Sequence, residues 1–393
     1  MRRAAAPRRV VVTGLGVVSP AGTGLDAFWK GLQTTPQDRR ERRVDELDPT
    51  PWLSGKQARH LDRFTQFAVA AADMALEDCG GLPEVDPARA GVQLGTGIGG
   101  VGTLETQVGV LAARGPGRVS PFTIPMVMPN AGAAAVSLRH GLQGPCEKLT
   151  NACAAGTHSV GAGARMVADG RCDVVLAGGA ESSMTPTTVA AFTVMTALSR
   201  SGLSRPFDTR RDGFCIAEGA AVLVLEEREA ALARGARVYG EVLGTASTCD
   251  AHHITAPSPG GVGAAACMRL AIDDAELAPA DIRSVNAHGT STPLNDGAEA
   301  TAVAAVFGPG AVPVSSIKGV TGHGLGAAGA LEAASVLLSF VQRELPPTLG
   351  TTEVDAELEI DVVLAPRAWE PGPTISNSFC FGGHNCSLVL GPA

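Results

Sequence analysis

Val10-Val-Val-Thr-Gly-Leu-Gly-Val-Val-Ser-Pro20 is the stretch that decides the fold of this chain. Its β-branched and nearly unbroken apolar run predicts a strand that is buried on both faces, and the Ser-Pro pair ends it. Comparable runs predict further strands at 90–94, 174–177, 220–226, 238–246, 283–287, 312–315, 361–364, 374–377 and 386–391.

Segments with apolar residues at helical spacing separate these strands. They predict helices at 26–32, 64–79, 130–140, 153–169, 262–275, 296–306 and 326–342. Strands that alternate with helices indicate an α/β fold with mixed sheets. Because each half of the chain carries a similar alternation, we expect two halves, 1–237 and 238–393, packed as one compact unit. The residues themselves show no repeat that would establish a duplication.

Composition excludes several classes of function. The 393 residues are 45% hydrophobic and only 4% aromatic, with 49 glycines, which predicts a core built on small residues and close backbone approach. A net charge of −8 argues against nucleic-acid binding. The nine cysteines form no C-x-x-C pair and have no metal-like spacing, so we predict no metal site.

The same features predict where the protein resides. The first apolar run is short and broken by glycines, which favours a buried strand over a secretory signal. No run approaches the roughly 20 apolar residues of a membrane helix. We therefore expect a cytoplasmic protein with reduced cysteines and no membrane association.

Three glycine-rich segments each carry a reactive side chain: 151–156, 286–292 and 318–324. Cys153 follows a turn and precedes a helix of small residues, so its sulfur should lie near a helix N-terminus, where the helix dipole favours a thiolate. A buried, inert cysteine is the alternative interpretation. The two histidine-bearing turns favour the nucleophile, because thiol-based acyl transfer needs groups that activate the sulfur and stabilise an oxyanion.

The two histidines lie in settings that suit a site. His288 follows a predicted strand, and ligand sites gather at strand ends in α/β sheets. His323 lies between two glycines, with Lys318 and Glu332 on either side along the chain. A lysine or glutamate near an imidazole can fix its tautomer and orientation. The alternative is that Lys318 and Glu332 form an ordinary ion pair on the surface.

Two further segments complete the candidate site. Thr290 and Thr292 could donate hydrogen bonds to a polar arm of a substrate. The turn in Phe-Cys-Phe-Gly-Gly-His-Asn, 379–385, could supply a backbone N–H that joins that of Cys153 in an oxyanion hole, or could be a tight hairpin with an aromatic plug. Gly-Thr-Gly-Ile-Gly-Gly at 95–100 is interpreted as a turn, because no acidic residue follows where a dinucleotide fold needs one.

Together these segments resemble the elongating β-ketoacyl-acyl carrier protein synthases of the thiolase superfamily, nearly end to end. The resemblance rests on the segments above and on Gly-Gly-Ala-Glu-Ser (178–182), Arg-Pro-Phe-Asp (205–208), Arg-Asp-Gly-Phe (211–214) and Asn-Ser-Phe-Cys-Phe-Gly-Gly-His-Asn (377–385). It implies a thiolase-like, duplicated α/β/α/β/α five-layer fold and an obligate dimer.

The resemblance also implies residue roles. Cys153 would accept the acyl chain, and His288 and His323 would support decarboxylation of a malonyl-carrier thioester. The remaining implied roles are a supporting polar network (Lys318 and Glu332), contacts to phosphopantetheine (Thr290 and Thr292), and a gating aromatic whose N–H completes the oxyanion hole (Phe381). No metal or bound organic cofactor is implied, since the substrates carry the phosphopantetheine.

Partners and alternatives follow from the same resemblance. The acyl carrier protein is the implied partner, and candidate docking arginines are Arg59, Arg63, Arg114, Arg118, Arg200 and Arg205. The dimer could be of identical chains, or a polyketide heterodimer with a chain-length factor. A coenzyme-A-dependent thiolase would need a second cysteine, for which Cys380 and Cys386 are candidates, and a non-catalytic subunit would not take up an acyl group.

Two residues depart from the family pattern. Cys380 stands where the gate turn usually has glycine, and His384 occupies a position that varies in relatives. Because a cysteine is bulkier, we expect it to restrict the movement of Phe381 and to tune the gate to an unusual acyl chain.

Overall fold

The computed structural model describes residues 8–36, 38–44 and 47–393. The strands of the first half are β1 Val10–Ser19, β2 Gly22–Thr23, β3 Glu41–Arg42, β4 Ala90–Gly95, β5 Cys146–Leu149, β6 Val174–Glu181, β7 Ile216–Ala217 and β8 Gly219–Glu227. The helices of this half are α1 Leu25–Leu32, α2 Gly55–Ala58, α3 Arg63–Asp78, α4 Val101–Arg114, α5 Thr123–Val127, α6 Ala131–His140, α7 Ala155–Ala168, α8 Pro186–Val194 and α9 Arg228–Ala233.

The second half also consists of alternating strands and helices, with fewer helices than the first. Its strands are β9 Gly240–Cys249, β10 Ser284–Asn286, β11 Pro313–Ser315, β12 Glu344–Leu345, β13 Asp361–Val362, β14 Arg367–Ala368, β15 Thr374–Cys380 and β16 His384–Gly391. Its helices are α10 Val262–Asp274, α11 Pro293–Phe307, α12 Lys318–Thr321 and α13 Ala328–Gln342. The predicted division at 237/238 lies in the connection between α9 and β9.

The strand order reveals a duplication that the sequence left open. In the first half the order is β5-β4-β6-β8-β1, with the first two pairings parallel and the last two antiparallel. In the second half the order is β11-β10-β15-β16-β9, with the same sequence of parallel and antiparallel pairings. The predicted duplicated α/β fold is confirmed.

The two halves join through their own strands. Residues Val10 to Val12 of β1 pair antiparallel with Val242 to Gly240 of β9, so one hydrogen-bonded sheet runs through both halves. A continuous sheet makes the two halves one structural unit.

The fold has five layers: the two halves of the sheet and three layers of helices. Helices α3 and α6 cover the outer face of the first half, and α10 and α11 cover the outer face of the second. Helices α7 and α13 lie between the halves and contact strands of both. The centre of the molecule is therefore where α7, which follows Cys153, meets α13, which follows His323.

Small residues make this central contact possible. A Cβ added at Gly326 would lie 2.2 Å from the backbone nitrogen of Gly97, and one added at Gly179 would lie 2.4 Å from the carbonyl oxygen of Gly326. The backbones of the segments that carry Gly97, Gly179 and Gly326 are therefore in direct contact at the centre of the molecule, as the glycine-rich composition predicts.

One expectation about apolar segments was wrong. The stretch Leu325–Gln342 is long and apolar enough to pass as a membrane helix by length and composition. Within the protein, 89% of that stretch is buried, because it forms the central helix between the two halves of the sheet. A core helix packed on all sides is apolar all round, and this explains its composition.

Candidate active site

Cys153 lies in a strained turn between a strand and a helix. Strand β5 ends at Leu149, a single 3₁₀ turn spans Ala152–Ala154, and α7 begins at the next residue. Ala152 has a φ of +46°, which lies in the left-handed region. This conformation is unfavourable for any residue that has a Cβ atom, so the backbone is strained here. This geometry places the predicted nucleophile just before a helix N-terminus, with its side chain 8% exposed to a cavity.

His288 follows β10 in a turn fixed by a buried carboxylate. The backbone N–H groups of His288 and Gly289 donate to the two oxygens of Glu299, each at 2.7 Å. Glu299 lies on α11, so the helix holds the histidine turn from behind. Glu299 was not predicted from the sequence, although an acidic side chain on the predicted helix 296–306 was a visible signal.

His323 is held by its backbone against the first half of the chain. Its N–H donates to the carbonyl of Cys215 at 2.7 Å, and its carbonyl accepts from Ala217 at 3.0 Å. Its ring lies edge-on to that of His288, with ring centroids 5.3 Å apart and planes at 83°. The two predicted histidines, 35 positions apart in sequence, are therefore neighbours in space.

Lys318 supports His288 rather than His323, which corrects the expectation from the sequence. Its Nζ donates to the carbonyl oxygen of His288 at 2.5 Å, lies 3.3 Å from Nδ1 of the same residue, and pairs with Glu332. Lys318 and Glu332 are each only 1% exposed. By contrast, Nδ1 of His323 has no hydrogen-bond partner among the described residues.

The lysine decides which tautomer His288 adopts. An ammonium group can only donate, so Nδ1 of His288 accepts and the ring hydrogen belongs on Nε2. Burial, followed by the nearby charge of Lys318, lowers the pKa of both His288 and His323 well below the ordinary value. Both rings are neutral near pH 7, and a neutral imidazole can donate one hydrogen bond and accept another.

The expected thiolate at Cys153 was wrong for the resting protein. Burial raises the pKa of the Cys153 thiol well above its ordinary value, and the neighbouring Cys380 raises it further, while Lys318 lowers it. The nucleophile therefore rests as a thiol and must lose its proton when it reacts.

One cavity of about 640 Å³ brings most of the predicted site together. It is lined by Cys153, His288, His323, Thr290, Thr292 and Phe381. The two threonine hydroxyls are 2.9 Å apart. Lys318 and Glu332 lie behind His288 instead of lining the cavity, and of the two cysteines considered as a second thiol, Cys380 lines it while Cys386 lies within β16.

The turn at residues 381–383, here called the gate turn, connects β15 to β16 as predicted. Gly382 has a φ of +82°, a conformation that favours glycine. Its N–H donates to the carbonyl of Ile254 at 2.8 Å. The gate turn is thus anchored on one side by a neighbouring loop and faces the cavity through Phe381.

Glu181 is a buried residue that the sequence analysis did not include in the site. Its Oε2 accepts from the backbone N–H of Gly97 at 2.6 Å and from that of Gly326 at 3.2 Å, and its Oε1 accepts from Ser183. It thereby ties the glycine turn after β4 to the turn after His323. Burial raises the pKa of its carboxyl to about 7.

Replacing Glu181 with glutamine should change how stability depends on pH. Folded wild-type protein keeps the Glu181 proton up to about pH 7, whereas the unfolded chain releases it near the ordinary pKa of 4.5. The folded state binds more protons between these values, so wild-type stability falls as pH rises through this window. Urea unfolding at pH 5 and pH 8 should show Glu181→Gln gaining stability relative to wild type at the higher pH. Exposed Glu229→Gln serves as the control. If the stability difference between Glu181→Gln and wild type is the same at pH 5 and pH 8, or changes in the opposite direction, then the raised pKa of Glu181 is contradicted.

Sequence comparison and the fold together define the class, a condensing enzyme of thiolase-like fold. Residues 7–231 match the family described as Beta-ketoacyl synthase, N-terminal domain, and residues 239–352 match Beta-ketoacyl synthase, C-terminal domain. The chain belongs to the beta-ketoacyl synthase family, which makes it an acyl-transferring enzyme.

Individual relatives agree with this assignment. The chain is 41% identical over 406 residues to a 3-oxoacyl-[acyl-carrier-protein] synthase 2 of Synechocystis, with 98% of each chain covered. Among solved structures it is similar to the ishigamide ketosynthase/chain length factor, with a TM-score of 0.91, 34% identity, and coverage of 99% of this chain and 100% of that one. It is also similar to a type II polyketide ketosynthase solved with its acyl-carrier protein and a hexaketide, with a TM-score of 0.90, 29% identity, and coverage of 98% and 100%.

Proposed function

We propose that the protein extends an acyl chain held on Cys153 by decarboxylative condensation with a malonyl group carried on an acyl carrier protein. The observation that carries this proposal is the cavity that the Cys153 thiol shares with two neutral imidazoles. A thiol can hold an acyl group, and neutral imidazoles can donate hydrogen bonds to a carbonyl that becomes an enolate.

The first half-reaction loads the enzyme. The Cys153 thiol gives its proton to the neutral imidazole of His323 as its sulfur attacks the acyl-carrier thioester, because both ring nitrogens of His288 are already committed. The backbone N–H groups of Cys153 and Phe381 hold the oxyanion of the tetrahedral intermediate. The carbon–sulfur bond to the carrier then breaks, and the carrier thiolate takes the proton back, which leaves the acyl group on Cys153.

The second half-reaction forms the new carbon–carbon bond. His288 and His323 donate to the thioester carbonyl of the malonyl group, which stabilises the enolate as carbon dioxide leaves. The resulting carbanion attacks the acyl carbonyl, and the Cys153 sulfur departs as a thiolate that takes up one proton from water. Lys318 keeps His288 neutral and correctly oriented, and its positive charge lies close enough to favour the developing negative charge.

Substrate delivery needs no further group in this scheme. Thr290 and Thr292 at the cavity wall would hold the phosphopantetheine arm that arrives with each substrate. The steps balance without a metal or a bound organic cofactor. Among the described residues, no group of three or more His, Cys, Asp or Glu side chains is arranged to hold a metal ion.

The carrier protein would dock around the mouth of the cavity. Of the six arginines considered, Arg200 lines the cavity, which supports its inclusion. Arg63 fits poorly, because its guanidinium makes two hydrogen bonds to buried Glu218 and one to the carbonyl of Val44. Its role is to tie the loop after β3 to the core.

A second subunit would cover the face formed by α4, α5 and α6. Strand β5 lies at one edge of the sheet with most of its side chains exposed. Large apolar side chains on the adjacent helices are exposed as well: Leu104, Val108, Leu111, Ile124 and Leu138. An open edge strand beside apolar surface suits a dimer. The partner is an identical chain or a chain-length-factor-like subunit, and the molar mass of the chain purified alone distinguishes the two.

A reducing, cytoplasmic location is part of the proposal. All nine cysteines are free thiols. A nucleophilic thiol beside a second cysteine requires a compartment that keeps both reduced.

Decarboxylation measured without condensation tests the roles of the two histidines. His288→Ala and His323→Ala should each lower the release of labelled carbon dioxide from malonyl-carrier thioester by about 10²-fold or more, because each removes a donor to the enolate oxygen. Acyl uptake on Cys153, followed by intact mass, should fall less than decarboxylation in His288→Ala, whose ring does not take the thiol proton. Retention of full decarboxylation by both variants would overturn the proposal.

A further inference from the structure

Strand β5 is an open edge of the sheet, and its two faces carry opposite charges. Among the described strands it pairs with β4 alone, and Cys146, Glu147 and Lys148 are exposed. The register aligns Lys148 with Leu94 of β4, which belongs to the core cluster shared with α3 and α6. Since aligned residues of neighbouring strands point to the same face, Lys148 lies on the face covered by α6, and Glu147 lies on the opposite face, toward α7.

Among the described residues, only one of these two charges has a counter-ion. Glu147 forms an ion pair with Arg171 at 3.5 Å. Lys148 forms no ion pair with any residue that the structure describes. The helices that pack against β5, α6 and α7, contain no acidic residue. A second copy of these helices would therefore offer Lys148 no counter-ion either.

Symmetry prevents a second copy of β5 from neutralising Lys148. Two identical chains are normally related by a two-fold axis, so a sheet that continues across their interface pairs β5 antiparallel with its copy. Directly opposed residues of such a pair lie on the same face, and a two-fold axis maps each face onto itself. The residues in and beside the copied strand that can face Lys148 are therefore Gly144, Cys146, Thr150 and Lys148 itself. Glu147 is excluded in every register, because it lies on the other face.

An uncovered face would be unfavourable as well. The apolar side chains beside β5 would stay in water, and so would the unpaired N–H and C=O groups of the strand. In a pair of identical chains, Lys148 would instead be buried without a counter-ion, which costs association free energy. A partner with a different edge strand avoids both costs.

We propose that Lys148 selects a non-identical subunit at this face, one whose edge strand places an acidic residue opposite Lys148. The inference rests on the proposed function, because it chooses the chain-length-factor-like subunit over the identical chain. A non-identical strand is free of the symmetry constraint, so it can neutralise the lysine and still close the sheet. The same charge that attracts this partner disfavours a second copy of the chain.

Self-association of the chain purified alone measures what Lys148 costs a pair of identical chains. Lys148→Ser removes the charge at an exposed position and keeps a small polar side chain in the strand. Its dissociation constant for self-association, measured by sedimentation equilibrium, should be about tenfold lower than that of wild type or lower still, because no unpaired ammonium enters the interface.

A charge-reversed chain represents the proposed partner. Affinity-tagged wild-type chain should retain untagged Lys148→Glu about tenfold more than it retains untagged wild type, because the mixed pair brings opposite charges together. Lys56→Glu is the matched control. It makes the same change at an exposed lysine of α2, outside this face, and should be retained like wild type.

The outcomes separate this inference from the proposed function. Equal self-association of wild type and Lys148→Ser would overturn the inference, and so would equal retention of Lys148→Glu and wild type. A wild-type chain that stays paired at nanomolar concentration would overturn it as well. None of these measurements uses an acyl substrate, so their result stands whatever the enzyme's activity. A wild-type protein that takes up no acyl group from any carrier thioester would instead refute the proposed function.

Discussion

Replacing Cys153 with alanine should abolish covalent acyl uptake and lower condensation by at least about 10³-fold. Cys153 lies in the turn at Ala152–Ala154 and lines the same cavity as the two histidines. Alanine keeps the small, buried side chain and removes only the sulfur that holds the acyl group. Intact mass after incubation with a panel of acyl-carrier thioesters should show one adduct on wild type and none on the variant.

A second cysteine provides the control for this result. Cys249 is exposed and lies outside the cavity lining, so Cys249→Ser should keep both the adduct and the activity. An adduct that persists in Cys153→Ala would move the nucleophile elsewhere, with Cys380 as the first candidate because it lines the same cavity. That outcome would also reopen the thiolase interpretation.

The sequence predicted most elements and the members of the site, because both follow from local patterns. Buried strands such as β1 and the turns that carry Cys153 and His288 have short-range signatures in β-branched runs and glycine-rich segments. Helix α8 has none. Its sequence, PTTVAAFTV, is rich in β-branched residues, and Thr185 and Pro186 alone mark its start.

What the sequence could not predict depends on contacts between distant segments. The rise in the pKa of Cys153 comes mainly from burial, which a helix-start pattern cannot reveal. Lys318 is five residues from His323 along the chain, yet it contacts His288 because α12 directs it toward the strand end. Glu181 joins two glycine turns more than 200 residues apart, and no local pattern connects them.

Replacing Lys318 with methionine should destabilise the protein by about 3–5 kcal/mol, the usual cost of leaving one member of a buried ion pair alone. Lys318 and Glu332 are each 1% exposed, and the second oxygen of Glu332 has no partner among the described residues. Methionine keeps the length and apolar stem of the lysine. Equilibrium urea unfolding at one fixed protein concentration measures the loss, and exposed Lys56→Met controls for the removal of a charge.

The double variant Lys318→Met/Glu332→Leu tests whether the loss comes from the stranded carboxylate. Burial raises the pKa of Glu332 and Lys318 lowers it, so without the lysine the glutamate should take up a proton more readily. The single variant should then be less destabilised at pH 5 than at pH 8, and the double variant should recover much of the loss at both. Activity should stay low in both, because Nδ1 of His288 has lost its donor. Full activity in the double variant would show that the lysine serves only the ion pair and does not position the histidine.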